Sequence, residues 1–494
     1  MEPSSTCKAD RVKSVLSSPV LLVNESLAGI VTALALIPEV ISFSVISGVD
    51  PKVSLIASVV ICFTLSLIGG RPAMVSAAAG SVALVIGPMV AAQGVNYILP
   101  TVVLAGGLQI LFGVLGLARM MRYIPQAVMT GFVNALGILI FLAQMPHILG
   151  HGAMVWVFFA ITLLIVLGLP RMFTAIPAPL IAIVLLTAIS VYGGITLPNV
   201  GDEGSMTPGL PGINALQVPL NWHTLNIIWP AAVSVALVGL MESLLTAKLV
   251  DELTDSRSNK HRESWGLGIA NIFAAFYGGI AGCAMIGQTI VNVELGKARS
   301  RVSTIVAAAV LLLLVSVLSQ VMAKIPMVVL AAIMVIVALK TLNWHSLHPN
   351  TLRRLPVTET LIMAVTVVIT IWTSNLALGV VVGTIFATLL FTRRISHLTV
   401  AQRVLSTGGE RVTYHVTGPL FFASSNDLYE HFDYANDPKE VIIDLSAAQV
   451  WDASSVNVLD SIEHRYQRYQ CTVTLVGLAG SSEAIHQKVS SHRQ

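Results

Sequence analysis

Long apolar runs follow one another from about Leu21 to about Leu390. Many come close to the roughly 20 residues that a helix needs to cross the hydrocarbon of a bilayer. Lipid offers no water to backbone amides, so runs of this kind must be helices. The first run follows Lys8, Arg11 and Lys13 and continues past Pro38 and Glu39 toward Ser47 without a small-residue cleavage site, so it reads as a retained span rather than a signal peptide. From about His397 the pattern changes. Short runs suited to strands, Arg411 to Val416, Leu420 to Ala423, Val441 to Leu445 and Val473 to Gly477, alternate with helix-like segments Asn426 to Phe432, Val456 to Gln467 and Ser482 to Val489. This alternation predicts a compact α/β domain of about 100 residues. The expected division is residues 1–396 in the membrane and 397–494 as a cytoplasmic domain.

Composition agrees with that division. Apolar residues make up 55% of the chain, charged residues only 11%, and mean hydropathy is +0.81, whereas a soluble domain carries about a quarter charged residues. Residues 401–494 hold 7 Lys and Arg against 11 Asp and Glu, a net of −4; residues 1–400 hold 21 against 14, a net of +7. The basic residues gather in short connections: Arg119 and Arg122, Arg171, Lys248 to Arg262, Lys297 to Arg301, Lys340 to Arg354, and Arg393 with Arg394. The connection Pro198 to Pro219 contains Asp202 and Glu203 and no basic residue. The positive-inside rule makes the clusters cytoplasmic and that connection external. Both chain ends are then cytoplasmic and the number of crossings is even. Cys7, Cys62, Cys283 and Cys471 are scattered, which indicates neither a disulfide framework nor a zinc site. No nucleophile paired with a base, phosphate loop or metal cluster stands out, so an enzyme, a cofactor and a nucleic-acid partner are not expected.

The membrane part shows traces of a repeat. Ala33 to Glu39 reads ALALIPE and Ala236 to Glu242 reads ALVGLME, with the two glutamates 203 residues apart. Gly69 opens GGRPAMVSAAAGS and Gly278 opens GGIAGCAMIGQT, 209 residues apart. Matching interrupted helices in two halves mark the binding site of many transporters. A glutamate in hydrocarbon is costly and is a functional candidate by default. Glu39 follows Pro38, which weakens the helix there, and its carboxyl could carry a coupling proton. Glu242 would brace the two halves or help a sodium site.

Helices beginning near Ala77 and near Gly287 would aim free N–H groups and positive dipole ends at one point, which favours an anion without any arginine. Ser76, Ala77, Ala78, Ala79 and Gly80 in one half, and Gly282, Ala284 and Gly287 in the other, would let a solute approach the backbone. Small residues are also the usual packing surface between membrane helices. Gln288, Thr289 and Asn292 add neutral hydrogen-bonding groups, and Phe43, one turn beyond Glu39, could wall the site or simply pack. In the tail, VIIDLSAAQVWDASSVNVL places Asp452, Ser454 and Ser455 where a helix begins. An exposed serine there tolerates phosphate; the alternative is that Ser454 and Ser455 cap the helix.

ALALIPEVISFSVISGVDP, YIPQAVMTGFVNALGILIFLAQMPHILG, ALVGLMESLLTAKLVDELT and GIANIFAAFYGGIAG resemble the signature segments of the SulP family of sulfate-permease-like anion transporters. DLSAAQVWDASS resembles the core of the STAS domain that follows the transporter in that family, and the similarity covers nearly the whole chain. The resemblance implies an all-α polytopic membrane domain of fourteen transmembrane segments, arranged as two inverted seven-segment repeats with a core and a gate domain, followed by a small α/β STAS domain. It also implies a homodimer in the cell membrane, the inner membrane of a bacterium, multi-pass. Substrate would lie between the two half-helices and be lined by the first and eighth spans. The implied activity is secondary active transport of sulfate, bicarbonate or a small dicarboxylate, coupled to protons through Glu39 or to sodium. Ser454 falls where related domains are phosphorylated. Many relatives have an arginine where this chain has Gln288, and Ala453 replaces a more usual serine or threonine.

Two other readings compete. A nucleobase permease shares the two-half architecture, but such proteins lack the α/β tail and carry acidic residues in the eighth and tenth spans, whereas Gly287 to Asn292 has none. A membrane anchor for a signalling module would lose all activity with residues 401–494.

Overall fold

The computed structural model describes residues 18–116, 123–171, 177–204, 212–219, 221–406 and 408–490. Cys7, Lys8, Arg11, Lys13, Arg119, Arg122 and part of the connection Pro198 to Pro219 lie outside them. The chain divides into two compact units, Met1–Thr384 and Ile385–Gln494.

The first unit is helical. Among the described residues, seven helices are long and apolar enough to cross a membrane and five more are apolar but shorter. Its elements are α1 (Pro19–Ser47), α2 (Pro51–Ile68), β1 (Ser76–Ala78), α3 (Gly80–Gln93), α4 (Ile98–Val114), α5 (Gln126–Gln144), α6 (Ala153–Gly168) and α7 (Ala178–Tyr192). A second series follows: α8 (Trp222–Thr254), α9 (Lys260–Phe276), β2 (Gly282–Ala284), α10 (Ile286–Ile290, continued by a π turn to Leu295), α11 (Val302–Met322), α12 (Met327–Thr341), the short α13 (Trp344–Leu347) and α14 (Pro349–Arg354), α15 (Val357–Thr373) and α16 (Leu376–Ser396), which runs on past Thr384 into the second unit. Pairing the series, with α15 and α16 matched to α6 and α7, gives start-to-start separations of 203, 209, 206, 206, 204, 201, 204 and 198 residues. That constancy extends the two short sequence matches to a repeat of the whole unit.

Local chemistry sets the ends of these helices. Pro19 and Pro51 open α1 and α2 at positions whose N–H is unpaired in any helix. Gly48 closes α1 at φ +69°, a conformation open to glycine at no cost. Asn221 and Asn259 accept from the amides of Thr224 and Arg262 and so cap α8 and α9. Several charges that sequence places in solvated basic clusters are used inside the fold. Arg262 donates to the Ile68 carbonyl at 2.8 Å, and Arg301 to those of Ser66 and Gly69 at 2.6 and 2.5 Å, so two cations meet the negative end of α2. Glu25 does the converse, accepting from the amides of Arg299, Ser300 and Ser303 where α11 begins.

Packing sorts the helices into two bundles. In one, α4 packs on α8 and α9, α11 on α1 and α2, and α3 on α1 and α8. In the other, α5 packs on α12 and α15, and α12 on α6 and α7. They touch where α1 meets α7 and α12, and where α3 meets α5. The repeats interlock in the first bundle, because β1 and β2 pair as an antiparallel ribbon with Ser76 opposite Ala284, Ala77 opposite Cys283 and Ala78 opposite Gly282.

The second unit has a four-stranded sheet in the order β3 (Val400–Leu405), β4 (Arg411–Leu420), β5 (Glu440–Val450), β6 (Thr472–Val476). β3 and β4 are antiparallel; β4, β5 and β6 are parallel. Helices α17 (Ser425–Glu430), α18 (Ala453–Arg468) and α19 (Ser481–Ser490) join inward residues such as Val412, Ile443, Leu459 and Ile462 in one core. Asp437 is fully enclosed there, accepting from Tyr414 and Tyr466 at 2.6 Å each and pairing with Arg403 at 2.7 Å. Burial pushes both tyrosine hydroxyls up, which keeps them protonated as donors.

Two sequence expectations need correction here. Leu420 to Ala423 is not a strand: Leu420 ends β4, and the Ser424 hydroxyl bonds the Phe421 amide and the Pro419 carbonyl and turns the chain. The edge strand β3 was not anticipated, because its exposed side chains lack the alternation that marks a half-buried strand.

Candidate functional site

The site forms around the β1–β2 ribbon. A Cβ on Gly282 would lie 2.1 Å from the Ala77 carbonyl oxygen, so the ribbon requires glycine there. Asn271 of α9 closes the end of β2, donating to the Gly282 carbonyl at 3.2 Å and accepting from its amide at 2.8 Å, while also donating to Gln109 of α4 at 2.9 Å. The Ser58 hydroxyl accepts from the Ala78 amide and the Ser243 hydroxyl from the Ala284 amide, both at 3.0 Å. These polar residues within apolar helices give no sequence signal of their own. They satisfy ribbon groups that lipid could not.

α3 and α10 leave opposite ends of this three-residue ribbon, so both helix N-termini flank it. The interruption anticipated near Ala77 and Gly287 exists, with its boundaries shifted. Ser76, Ala77 and Ala78 are strand residues, and α3 starts at Gly80 after the extended Ala79; α10 starts at Ile286 after the extended Met285. Neither Ala79 nor Met285 has a side chain that caps the first turn. The amides of Gly80, Ser81 and Val82, and of Ile286, Gly287 and Gln288, therefore carry the positive ends of the two helices. A Cβ added at Gly287 meets nothing within 4 Å, whereas one at Gly80 would lie 2.5 Å from the Phe43 ring. The first position opens on free space and the second is a close contact.

α1 presents Glu39 and Phe43 to this crossing. Phe43 is buried against Gly80. Half-buried Glu39 shares a hydrogen bond with Gln288 and interacts electrostatically with Glu242. Glu242 of α8, buried, accepts from the Ser81 hydroxyl and from the Cys283 thiol at 3.0 Å, tying the first turn of α3 to β2. Thr289 accepts from the Val75 amide at 3.0 Å and holds the chain entering β1. Asn292 donates to the Ala73 carbonyl and to Ser303, each at 2.9 Å. The buried Ser76 hydroxyl has no hydrogen-bond partner among the described residues. The site thus offers backbone and hydroxyl donors beside two carboxyl groups, a combination that can hold an anion and move a proton.

A separate apolar groove of about 540 Å3 lies away from this crossing, lined by Phe63, Phe273, Phe276 and Leu312 among others. It carries no titratable group apart from Tyr277. In the second unit the α18 cap is Asp452, which accepts from the Ser455 amide at 3.0 Å and from the Phe422 amide at 2.8 Å. That corrects the reading of either serine as the cap. Ser455 is buried and Ser454 is exposed in the first turn of α18.

The sulfate permease family model matches residues 22–156 and 151–366, and the STAS domain model matches residues 402–493. Over 464 residues the chain is 44% identical to a putative sulfate transporter of Bacillus subtilis, covering 94% of this chain and 96% of that one. It is 26% identical over 514 residues to the bicarbonate transporter BicA of Picosynechococcus, covering 92% and 88%. Among solved structures, the transmembrane domain of a cyanobacterial bicarbonate transporter aligns at 26% identity with a TM-score of 0.63, covering 74% of this chain and 97% of that one. A murine Solute Carrier 26 anion transporter in the inward-facing state aligns with a TM-score of 0.80 over 95% and 87% at 17% identity, a likeness of fold. The extent of these matches makes this chain a member of the sulfate permease family, a membrane-embedded anion transporter carrying a STAS domain.

Proposed function

We propose that the protein is a secondary active transporter that moves a small anion, sulfate, bicarbonate or a dicarboxylate, by alternating access across the cell membrane. The observation that supports this reading is the pair of uncapped first turns at Gly80 and Ile286, flanking one ribbon and facing Glu39 and Phe43. Substrate sits between them, contacting the amides of Gly80 to Val82 and Ile286 to Gln288, with Ser76, Ala77, Ala78, Ala79 and Thr289 shaping and supporting the cradle. Hydrogen bonds from backbone amides recognise negative charge without the desolvation cost of a buried cation.

Glu39 couples the movement to a proton. Ionised, it puts a negative charge beside the anion and accepts from Gln288; protonated, it removes that repulsion and frees the amide for substrate. Proton and anion therefore favour each other's binding, the requirement for symport. Glu242 braces the site, and the bundle bearing α1 moves against the one built on α5 and α12. Two membrane units form the homodimer, fourteen segments each, with residues 1–396 carrying transport. Ser454 is the regulatory site: phosphate at an exposed helix N-terminus is electrostatically favoured.

Uptake of radiolabelled sulfate, bicarbonate and dicarboxylates into proteoliposomes tests this reading. The expected result is saturable uptake of at least one of them, driven by an inward proton gradient. Uptake driven by sodium and indifferent to protons would replace the coupling ion; no uptake of any small anion would overturn the reading.

A further inference from the structure

The connection between α12 and α15 carries a cavity lined by basic residues. α13 and α14 bound a cavity of about 410 Å3 lined by His345, His348, Asn350, Thr351, Arg354 and Leu355. His345, His348 and Arg354 are exposed at its rim, and Lys340 and Arg353 are exposed beside it. No Asp or Glu occurs between Glu294 and Glu359, a stretch that carries seven Lys and Arg. The stretch of chain that forms the cavity is therefore basic, up to Glu359 in the first turn of α15.

The connection is fixed in place. Asn134 of α5 donates to the Ser346 hydroxyl at 3.0 Å and accepts from the Asn343 amide at 2.8 Å, which pins α13 to the second bundle. Only four residues separate α11 from α12, so the far end of α12 returns to the end where α11 begins. That is the end of Lys297, Arg299 and Arg301, where Arg301 meets the end of α2. Exposed apolar residues lie along the same connection. Trp344 is 58% exposed, with its indole N–H bonded to the Leu339 carbonyl at 2.7 Å, and Leu347 and Val357 are 42% and 82% exposed. Tryptophan and leucine beside basic residues at a helix end form the pattern of a membrane interface, with an apolar layer below and headgroups above.

We infer that this cavity binds the phosphate headgroup of an anionic phospholipid, with Arg354, His345 and His348 on the phosphate and Trp344, Leu347 and Val357 against the acyl chains. A free phosphate ion would use the same polar groups, but it has no use for the exposed apolar residues. Basic pockets at the cytoplasmic ends of membrane helices hold such lipids by this combination of charge and depth. The bound lipid anchors the second bundle, the one against which α1 works, to one leaflet.

Native mass spectrometry of the full-length protein in detergent doped with phosphatidylglycerol or phosphatidylcholine tests the site. The expected result is retention of phosphatidylglycerol over phosphatidylcholine, and its reduction by about fivefold to tenfold when Arg354, His345 and His348 are all replaced by alanine. Arg257→Ala with Lys260→Ala, which removes two exposed charges elsewhere, should leave retention unchanged, and Arg354→Lys should keep most of it. Equal retention in the triple variant, or equal loss in the Arg257/Lys260 variant, would overturn the inference. Displacement of the lipid by millimolar inorganic phosphate at equal potency would also overturn it, assigning the cavity to the free ion.

Discussion

Replacing Glu39 with glutamine should separate anion movement from the proton gradient. The substitution keeps the shape of the side chain but removes its charge and its titrating oxygen. The variant then resembles the protonated carrier permanently: it binds anion and exchanges it across the membrane, but it cannot release a proton and so cannot accumulate anion against a gradient. Net uptake driven by a pH gradient should fall at least about tenfold, the kinetic equivalent of about 1.4 kcal/mol, while exchange of internal for external labelled anion persists. The pair of measurements matters, because loss of both activities would be ordinary misfolding. Undiminished proton-driven uptake would remove Glu39 from the coupling mechanism. Glu242→Gln should behave differently. Its carboxyl is held by Ser81 and Cys283, so its loss loosens the first turn of α3 and lowers exchange as well.

The second large effect is expected at Gly80. A methyl group there would lie 2.5 Å from the Phe43 ring, and Phe43 is itself buried at the crossing, so the ring cannot withdraw without displacing α1 from α3. Overpacking of this kind costs about 1–3 kcal/mol, and here the strain falls on the contact that positions the first-turn amides. Uptake by Gly80→Ala should drop roughly tenfold to a hundredfold. Gly287→Ala is the informative companion, because a Cβ at that position meets nothing within 4 Å. The folded state should tolerate it, and the methyl group should instead occupy space left for substrate, raising the half-saturating anion concentration with little change in thermal stability. Equal behaviour of the two variants would contradict the asymmetry that the structure assigns to the two half-helices.

Much of this architecture is legible in the chain. Runs of apolar residues identify helices because lipid leaves no alternative, and a glutamate inside such a run is costly enough to stand out. The repeat was visible at Glu39 and Glu242 and at the two glycine-rich stretches, since those are the places where function forbids ordinary apolar residues. The rest of the repeat is invisible to inspection: α4 and α11 hold matching places with no shared motif, because many different apolar side chains serve equally well at their apolar positions. The strand at Ser76–Ala78 was read as the start of a helix because small residues carry no preference strong enough to decide, and it is pairing with β2, 206 residues away, that settles the conformation. Ser58, Ser81, Ser243 and Asn271 were passed over for a similar reason. Each is an unremarked polar residue in an apolar helix until the ribbon amide, carbonyl or carboxylate that it satisfies is known. In the tail, alternation located β4, β5 and β6 because one face of each is buried, and it failed at β3, where it has no buried face to report.

The account rests on the amides of the two first turns being the groups that meet the anion. Labelling the protein with 15N-glycine and titrating it with a transported anion observes Gly80 and Gly287 directly by nuclear magnetic resonance. The predicted result is a saturable shift of both amide resonances at the concentration that half-saturates uptake, with the Glu39→Gln variant still responding. Transport that saturates while both resonances stay where they were would contradict it.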